Sequence, residues 1–171
     1  MRKNLLFLCA ISTVFATVAN AAPAKKLGWE YHERHDDLRG SMMHVACTNS
    51  LQLIHLGFPY HSQHLRLCIR SKGADDLDIY FVLPLGGQFS CASECSASIK
   101  IDNLEVESHS ASTSSDGSSN IIFVDGEPAL LEKIRSGKKL LMEAEYFTNG
   151  TQQVSFDISG LHWSGAGPAA K

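Results

Sequence analysis

The sequence predicts an all-β protein, an antiparallel β-sandwich with one short helix near 128–136. Three observations lead there: short segments in which apolar and polar residues alternate, turn-forming residues between nearly all of them, and a single stretch with helical spacing. "LGWEYHERHDDLRG" reads as a first strand ending in a charged turn. "SMMHVACTN" and "SLQLIHL" follow. In "HLRLCIR" Leu65, Leu67 and Ile69 share one face with Arg66 and Arg70 opposite, and in "DLDIYFVL" Leu77, Ile79, Phe81 and Leu83 do the same. Period two with one wet face is the pattern of an antiparallel sheet packed on a core.

"SASIKID", "LEVESHS" and "NIIFV" continue the rhythm, and "SHSASTSSDGSSN" (108–120) forms a long polar loop or continues a solvated strand into one, the loop being the preferred reading. "DGEPALLEKIRSGKK" breaks it. Pro128 suits a first helical turn, Leu130, Leu131 and Ile134 form an apolar stripe, and Gly137 suits the position past the end. Such a short helix is expected to lie across an open end or edge of the sandwich. "KKLLMEAEYF" and "QQVSFDIS" form the last two strands, with Asn149-Gly150 as their hairpin turn. Trp29 and Trp163 bracket the domain and are expected to seal its core.

Residues 1–21 have the layout of a secretory signal peptide: Arg2 and Lys3, an apolar run from Leu5 to Val14, then small residues around Ala19 and Ala21. The run is too short to span a bilayer, and no later stretch is long enough, so no membrane span is expected. Cleavage after Ala21 takes Cys9 with it and moves the formal charge from −3 to about −5. Residues 22–163 then form one domain, and 164–171 a disordered tail. The charge balance and pattern point to no nucleic acid, and the expected location is periplasmic or secreted.

Four cysteines remain: Cys47, Cys68, Cys91 and Cys95. An even count in an exported chain argues for two disulfides, with three pairings open. Cys91 and Cys95 lack the second close pair that a structural zinc site needs, and their three-residue spacing in a β-rich context does not suit a redox pair, so they read as a staple.

No other residues rise to a site. His55, His61 and His64 fall within ten positions and are the weak candidates for a metal, but their spacing matches no metal motif, and scattered histidines among turn residues are ordinarily solvated. His32, His35 and Asp36 in "YHERHDD" invite the same reading and the same answer. No GxSxG elbow is present, and Ser159 lacks the strand-to-helix turn that such a nucleophile requires. Glu143 and Glu145 share a face, yet on an outer strand face that is the solvated pattern rather than a glycosidase pair. No catalytic residue and no cofactor are assigned. Asn149-Gly150-Thr151 also matches a glycosylation acceptor.

Pro59-Tyr60 in "GFPYHSQHLRLCIR", then "GGQFSCASECSASIKIDN", "NIIFV" and "YFTNGTQQVSFDISGLHW" give the chain a resemblance to uncharacterised exported proteins of Gram-negative bacteria. In the C-terminal half, "SIKIDN", "LLEKIRSGKKLLMEAEYF" and "VSFDISGL" are similar to the periplasmic type VI secretion accessory proteins called TagO or VasI. The resemblance implies a β-sandwich of the cell envelope without catalytic residues, and it favours pairing Cys47 with Cys68 and Cys91 with Cys95. The expected function is a non-enzymatic binding or interaction module with a protein partner in the envelope, linked to secretion or interbacterial competition. Its display loops would include "HSQH" and the Ser-rich segment. The alternatives are a small hydrolase of envelope polymers and a histidine-based metal-binding protein.

Overall fold

A computed structural model describes residues 28–165, apart from Arg39, Ala74, Asp75 and Ser93. The expected signal peptide of residues 1–21, with Cys9, and residues 166–171 of the expected tail lie outside the described residues. Nine strands and one helix follow in order: β1 Glu30–Asp36, β2 Ser41–Ile54, β3 Gln63–Ser71, β4 Leu77–Val82, β5 Glu94–Ile101, β6 Glu107–Thr113, β7 Ile121–Val124, α1 Glu127–Ser136, β8 Lys139–Tyr146 and β9 Gly150–Asp157.

The expected sandwich is not what these strands make. They form one antiparallel sheet in the order β1-β2-β3-β4-β7-β6-β5-β8-β9, and β2 also pairs with β9 through Ser50 and Phe156. That pairing closes eight strands, β2 to β9, into a barrel. β1 is left outside the ring, paired with the first half of β2. Alternation is the same in a sandwich and a barrel, because each has one apolar and one wet face; only the non-local join between β2 and β9 separates them.

The join depends on an irregularity. The segments read as two strands, "SMMHVACTN" and "SLQLIHL", are one strand whose register shifts between Asn49 and Leu53. At the shift, the Ser50 hydroxyl accepts from Leu65 N–H at 3.0 Å and donates to Gln52 O at 2.6 Å, filling a gap in the ladder. Such a bulge bends a strand, so the first half of β2 can face β1 and the second half β9.

Few backbone bonds hold this seam; side-chain amides supply the rest. Gln52 Oε1 accepts from Ser155 N–H at 2.8 Å, Gln152 bonds both N–H and C=O of His55 at 2.9 Å, and Asn149 Oδ1 accepts from Gly57 N–H at 2.8 Å. A primary amide offers the same donor and acceptor as a peptide group, so it can stand in for a missing strand partner.

The inside of the barrel is filled. Leu65, Leu67 and Ile69 of β3, Ile79 and Phe81 of β4, Ile122 and Val124 of β7, Leu140 and Met142 of β8 and Phe156 of β9 all belong to one buried cluster. Outward positions carry Arg66, Arg70, Asp78, Lys100, Glu143 and Gln153. Apolar inside and polar outside is the reverse of a lipid-spanning barrel, whose outer band is apolar. Among the described residues no helix is long and apolar enough to cross a membrane.

Helix α1 seals one end of the barrel with Leu130, Leu131 and Ile134, as its stripe predicts, although the end belongs to a barrel rather than to a sandwich. Gly137 stops it by close approach: a Cβ there would meet Ile101 Cγ2 at 2.6 Å, while its own backbone is extended. The segment 108–120, whose preferred reading is a loop, instead continues the strand: β6 runs to Thr113, with Ala111 facing the core, and only then gives way to the loop. Three alternating inward positions among serines are too few to show a strand.

Candidate binding slot and loop end

The opposite end of the barrel carries the connections β2–β3, β4–β5, β6–β7 and β8–β9, from which Leu56, Leu83 and Phe89 are buried. Next to it the wall itself splits. β5 pairs with β8 only through Ser98–Ile101 against Leu140–Glu143. Beyond Ser98 the two strands part, and the segment Gln88–Ser90 fills part of the gap. Phe89 bridges to Tyr146, Ser90 N–H donates to Glu145 O at 2.9 Å, and Phe147 N–H donates to Gln88 O at 3.0 Å.

What remains of the gap is a slot of about 370 Å³. Phe89 and Ile122 reach its floor, and Ser90, Ser96, Ser98, Thr151, Glu94, Glu143 and Glu145 stand around it. The Phe89 ring lies 5.1 Å from that of Tyr146, which is fully buried and whose phenol is pushed up by that burial. Gly87 makes the turn into the slot possible: its φ is 125°, and a Cβ would come within 2.6 Å of Leu56 Cδ1. The slot offers hydroxyls and carboxylates without a basic residue among its lining, so it suits a ligand group that donates hydrogen bonds or carries positive charge.

Both disulfides form in the pairing that the resemblance favours. Cys91–Cys95, with Cα atoms 5.1 Å apart, ties the inserted segment to the start of β5, and Cys95 lines the slot. Cys47–Cys68 joins directly opposed residues of β2 and β3, with Cα atoms 4.2 Å apart. One staple therefore fixes the slot and the other fixes the wall across from it.

The histidines are placed apart in role. His55 Nδ1 lies 3.0 Å from Ser62 Oγ, its backbone is held by Gln152, and His61 and His64 are exposed. Among the described residues no group of three or more His, Cys, Asp or Glu is gathered to hold a metal ion. His32 is exposed on β1, and the His35 ring there bonds Asp37 at 2.7 Å. Ser159 donates to Asp157, its neighbour two residues back. Asn149 occupies the last hairpin, as its sequence suggests, since Tyr146 pairs with Gly150 around it. Trp29 and Trp163 pack partly buried against the core, and Trp29 Nε1 donates to Ile158 O at 3.2 Å.

Glu143 and Glu145 were legible as residues sharing a face; that their face lines a slot was not. Glu94, Ser96 and Ser98 alternate in "ECSASIK" and share the outer face of β5. That period was the available signal, but the register of β5 against β8 is needed to bring the two sets together. No protein-family model, curated protein or solved structure matches the chain.

Proposed function

We propose that the chain is a non-enzymatic binding module working outside the cytoplasm, in the periplasm or as a secreted protein, and that it engages a protein partner of the cell envelope. The slot carries this reading. A rigid, filled barrel with one stapled opening is preorganised, and preorganisation lowers the entropy cost of association. The partner's contribution would be a basic side chain, because an Arg or Lys headgroup complements Glu94, Glu143 and Glu145. The two disulfides support an oxidising compartment. A role as accessory to secretion or interbacterial competition is supported by the TagO and VasI resemblance alone.

The test uses the purified protein as bait in envelope extracts. Recovery of a defined partner, lost when Glu143→Gln and Glu145→Gln are combined, is the expected result. Equal recovery by that double variant would sink the slot reading.

The second reading, a small hydrolase of envelope polymers, has one observation in its favour, the contact between His55 Nδ1 and Ser62 Oγ. A nucleophilic pair of this kind also needs a group that orients the ring, and the hydrogen bonds of His55 here go to Ser62 and, through its backbone, to Gln152. Ester or peptidoglycan hydrolysis abolished by Ser62→Ala would establish it.

A further inference from the structure

Of the eleven large apolar side chains exposed among the described residues, Tyr31, Leu38 and Met42 lie on the β1–β2 hairpin and Leu104 and Val106 between β5 and β6, while the other six gather together. Leu51, Leu53, Phe58, Tyr60, Leu85 and Phe147 all stand at the loop end and the adjoining seam, and Phe58 is fully exposed. The loops that carry them touch one another. Asn149 of the last hairpin bonds Gly57 N–H; Gln63 bonds Gly86 O and Leu85 N–H at 2.6 and 2.8 Å; and Gly86 lies against the Tyr60 ring. Phe58, Tyr60, Leu85 and Phe147 therefore belong to one surface, and Leu51 and Leu53 continue it along the last residues of β2, where Leu53 pairs with His64.

Three of the four connections at this end also lack formal charge; the fourth, β6–β7, carries the exposed Asp116. Residues 49–65, 79–93 and 146–156 contain no Asp, Glu, Lys or Arg, in a chain where those types make up 19% of the sequence. Such stretches are not needed for the barrel, since β3, β5 and β8 carry charges on their outward positions elsewhere. An exposed apolar patch rimmed by neutral polar groups marks an interaction surface.

We propose that its occupant is a second copy of this chain, joined across a two-fold axis. The argument is one of charge and area. In a two-fold interface the same patch faces itself, so any charge near the axis meets its like. A face without charge meets its own copy at no such cost, whereas the chain as a whole carries −3 and repels its copies elsewhere. Only the exposed fraction of each side chain is left to bury, all of Phe58, 69% of Leu85, 55% of Phe147 and 40–41% of Tyr60, Leu51 and Leu53, so these six supply the apolar centre and the neutral rim supplies the rest of the ~800 Å² per partner of a stable interface. The slot adjoins this patch, sharing Phe89, Ser90 and Thr151 with the uncharged stretches, but none of the six apolar side chains lines it, so the inference is tested independently of the proposed ligand.

Sedimentation velocity on the purified protein, from micromolar to submillimolar concentration, tests it. The expected result is a species of twice the chain mass, converted to monomer by the pair Phe58→Ser and Leu85→Ser. Both side chains are exposed, so the circular dichroism spectrum and thermal midpoint should not move. The pair Tyr31→Ser and Leu38→Ser, exposed on the β1–β2 hairpin away from the patch, should leave the dimer intact. A monomer at every concentration, or a dimer that survives the first pair, overturns the proposal. A monomer that co-sediments with phosphatidylcholine vesicles through Phe58 overturns it too and assigns the patch to a bilayer surface.

Discussion

Tyr146 buries its whole side chain in the barrel, and its hydroxyl has no hydrogen-bond partner among the described residues. An unpaired buried hydroxyl carries a desolvation cost of about 1–3 kcal/mol. Tyr146→Phe should therefore raise the unfolding free energy by about 1 kcal/mol in urea denaturation; a loss of that size would reveal a hydrogen bond the account omits. The cysteines give a second prediction at this scale. In the chain-entropy treatment Cys47–Cys68 contributes roughly 3 kcal/mol and Cys91–Cys95 roughly 2 kcal/mol. Double alanine replacement of each pair should rank in that order by denaturation midpoint, and the Cys91/Cys95 replacement should also weaken partner recovery, because that bridge fixes the slot. The pairing is a residue-level fact that spacing left open, since three arrangements satisfy four cysteines.

Individual elements were the most legible level. Apolar alternation is local and marks β3, β4 and β8 on its own, and Pro128 with Leu130, Leu131 and Ile134 does the same for α1. β2 shows the limit. Its bulge offsets the alternation within the strand, so one continuous strand reads as two. For α1 the sequence shows a stripe but not a tether. Lys133 Nζ lies 2.5 and 2.6 Å from the two carboxylate oxygens of Glu107 at the start of β6. That hydrogen bond chiefly, with the charges of Lys133 and His109, holds the Glu107 carboxyl below its usual range. A depressed folded value means the contribution is present above the ordinary carboxylate pKa and is lost as pH falls through the folded one. Lys133→Met should therefore lower stability near neutral pH, and the gap to the parent should close as pH falls below the ordinary carboxylate range. Urea denaturation at several pH values reads this directly. A gap that stays constant with pH would show that Lys133 acts through packing alone.

For the whole molecule, the choice between sandwich and barrel lay beyond local pattern. It depends on whether residue 50 meets residue 156, more than a hundred positions away, and on three side-chain amides at the seam. Gln52, Gln152 and Asn149 look like ordinary polar residues in sequence; only the fold gives them a shared task. The same closure defines the candidate sites. The slot exists because one wall of a closed ring parts between β5 and β8, and the apolar patch exists because the ring gathers three distant uncharged stretches at one end. Removing both amides with Gln52→Ala and Gln152→Ala should speed hydrogen exchange at the Ser155 and His55 amides by at least tenfold, about 1.4 kcal/mol of local opening, with little change at Ile79 in the wall opposite. The most direct test of closure is an NMR measurement of backbone contacts on the intact protein. A cross-strand nuclear Overhauser effect between Ser50 and Phe156, with slowed exchange at Ser155, is the predicted result. Its absence, with β2 and β9 amides exchanging as two free edges, would return the molecule to an open sheet or sandwich and remove the rim on which both proposals stand.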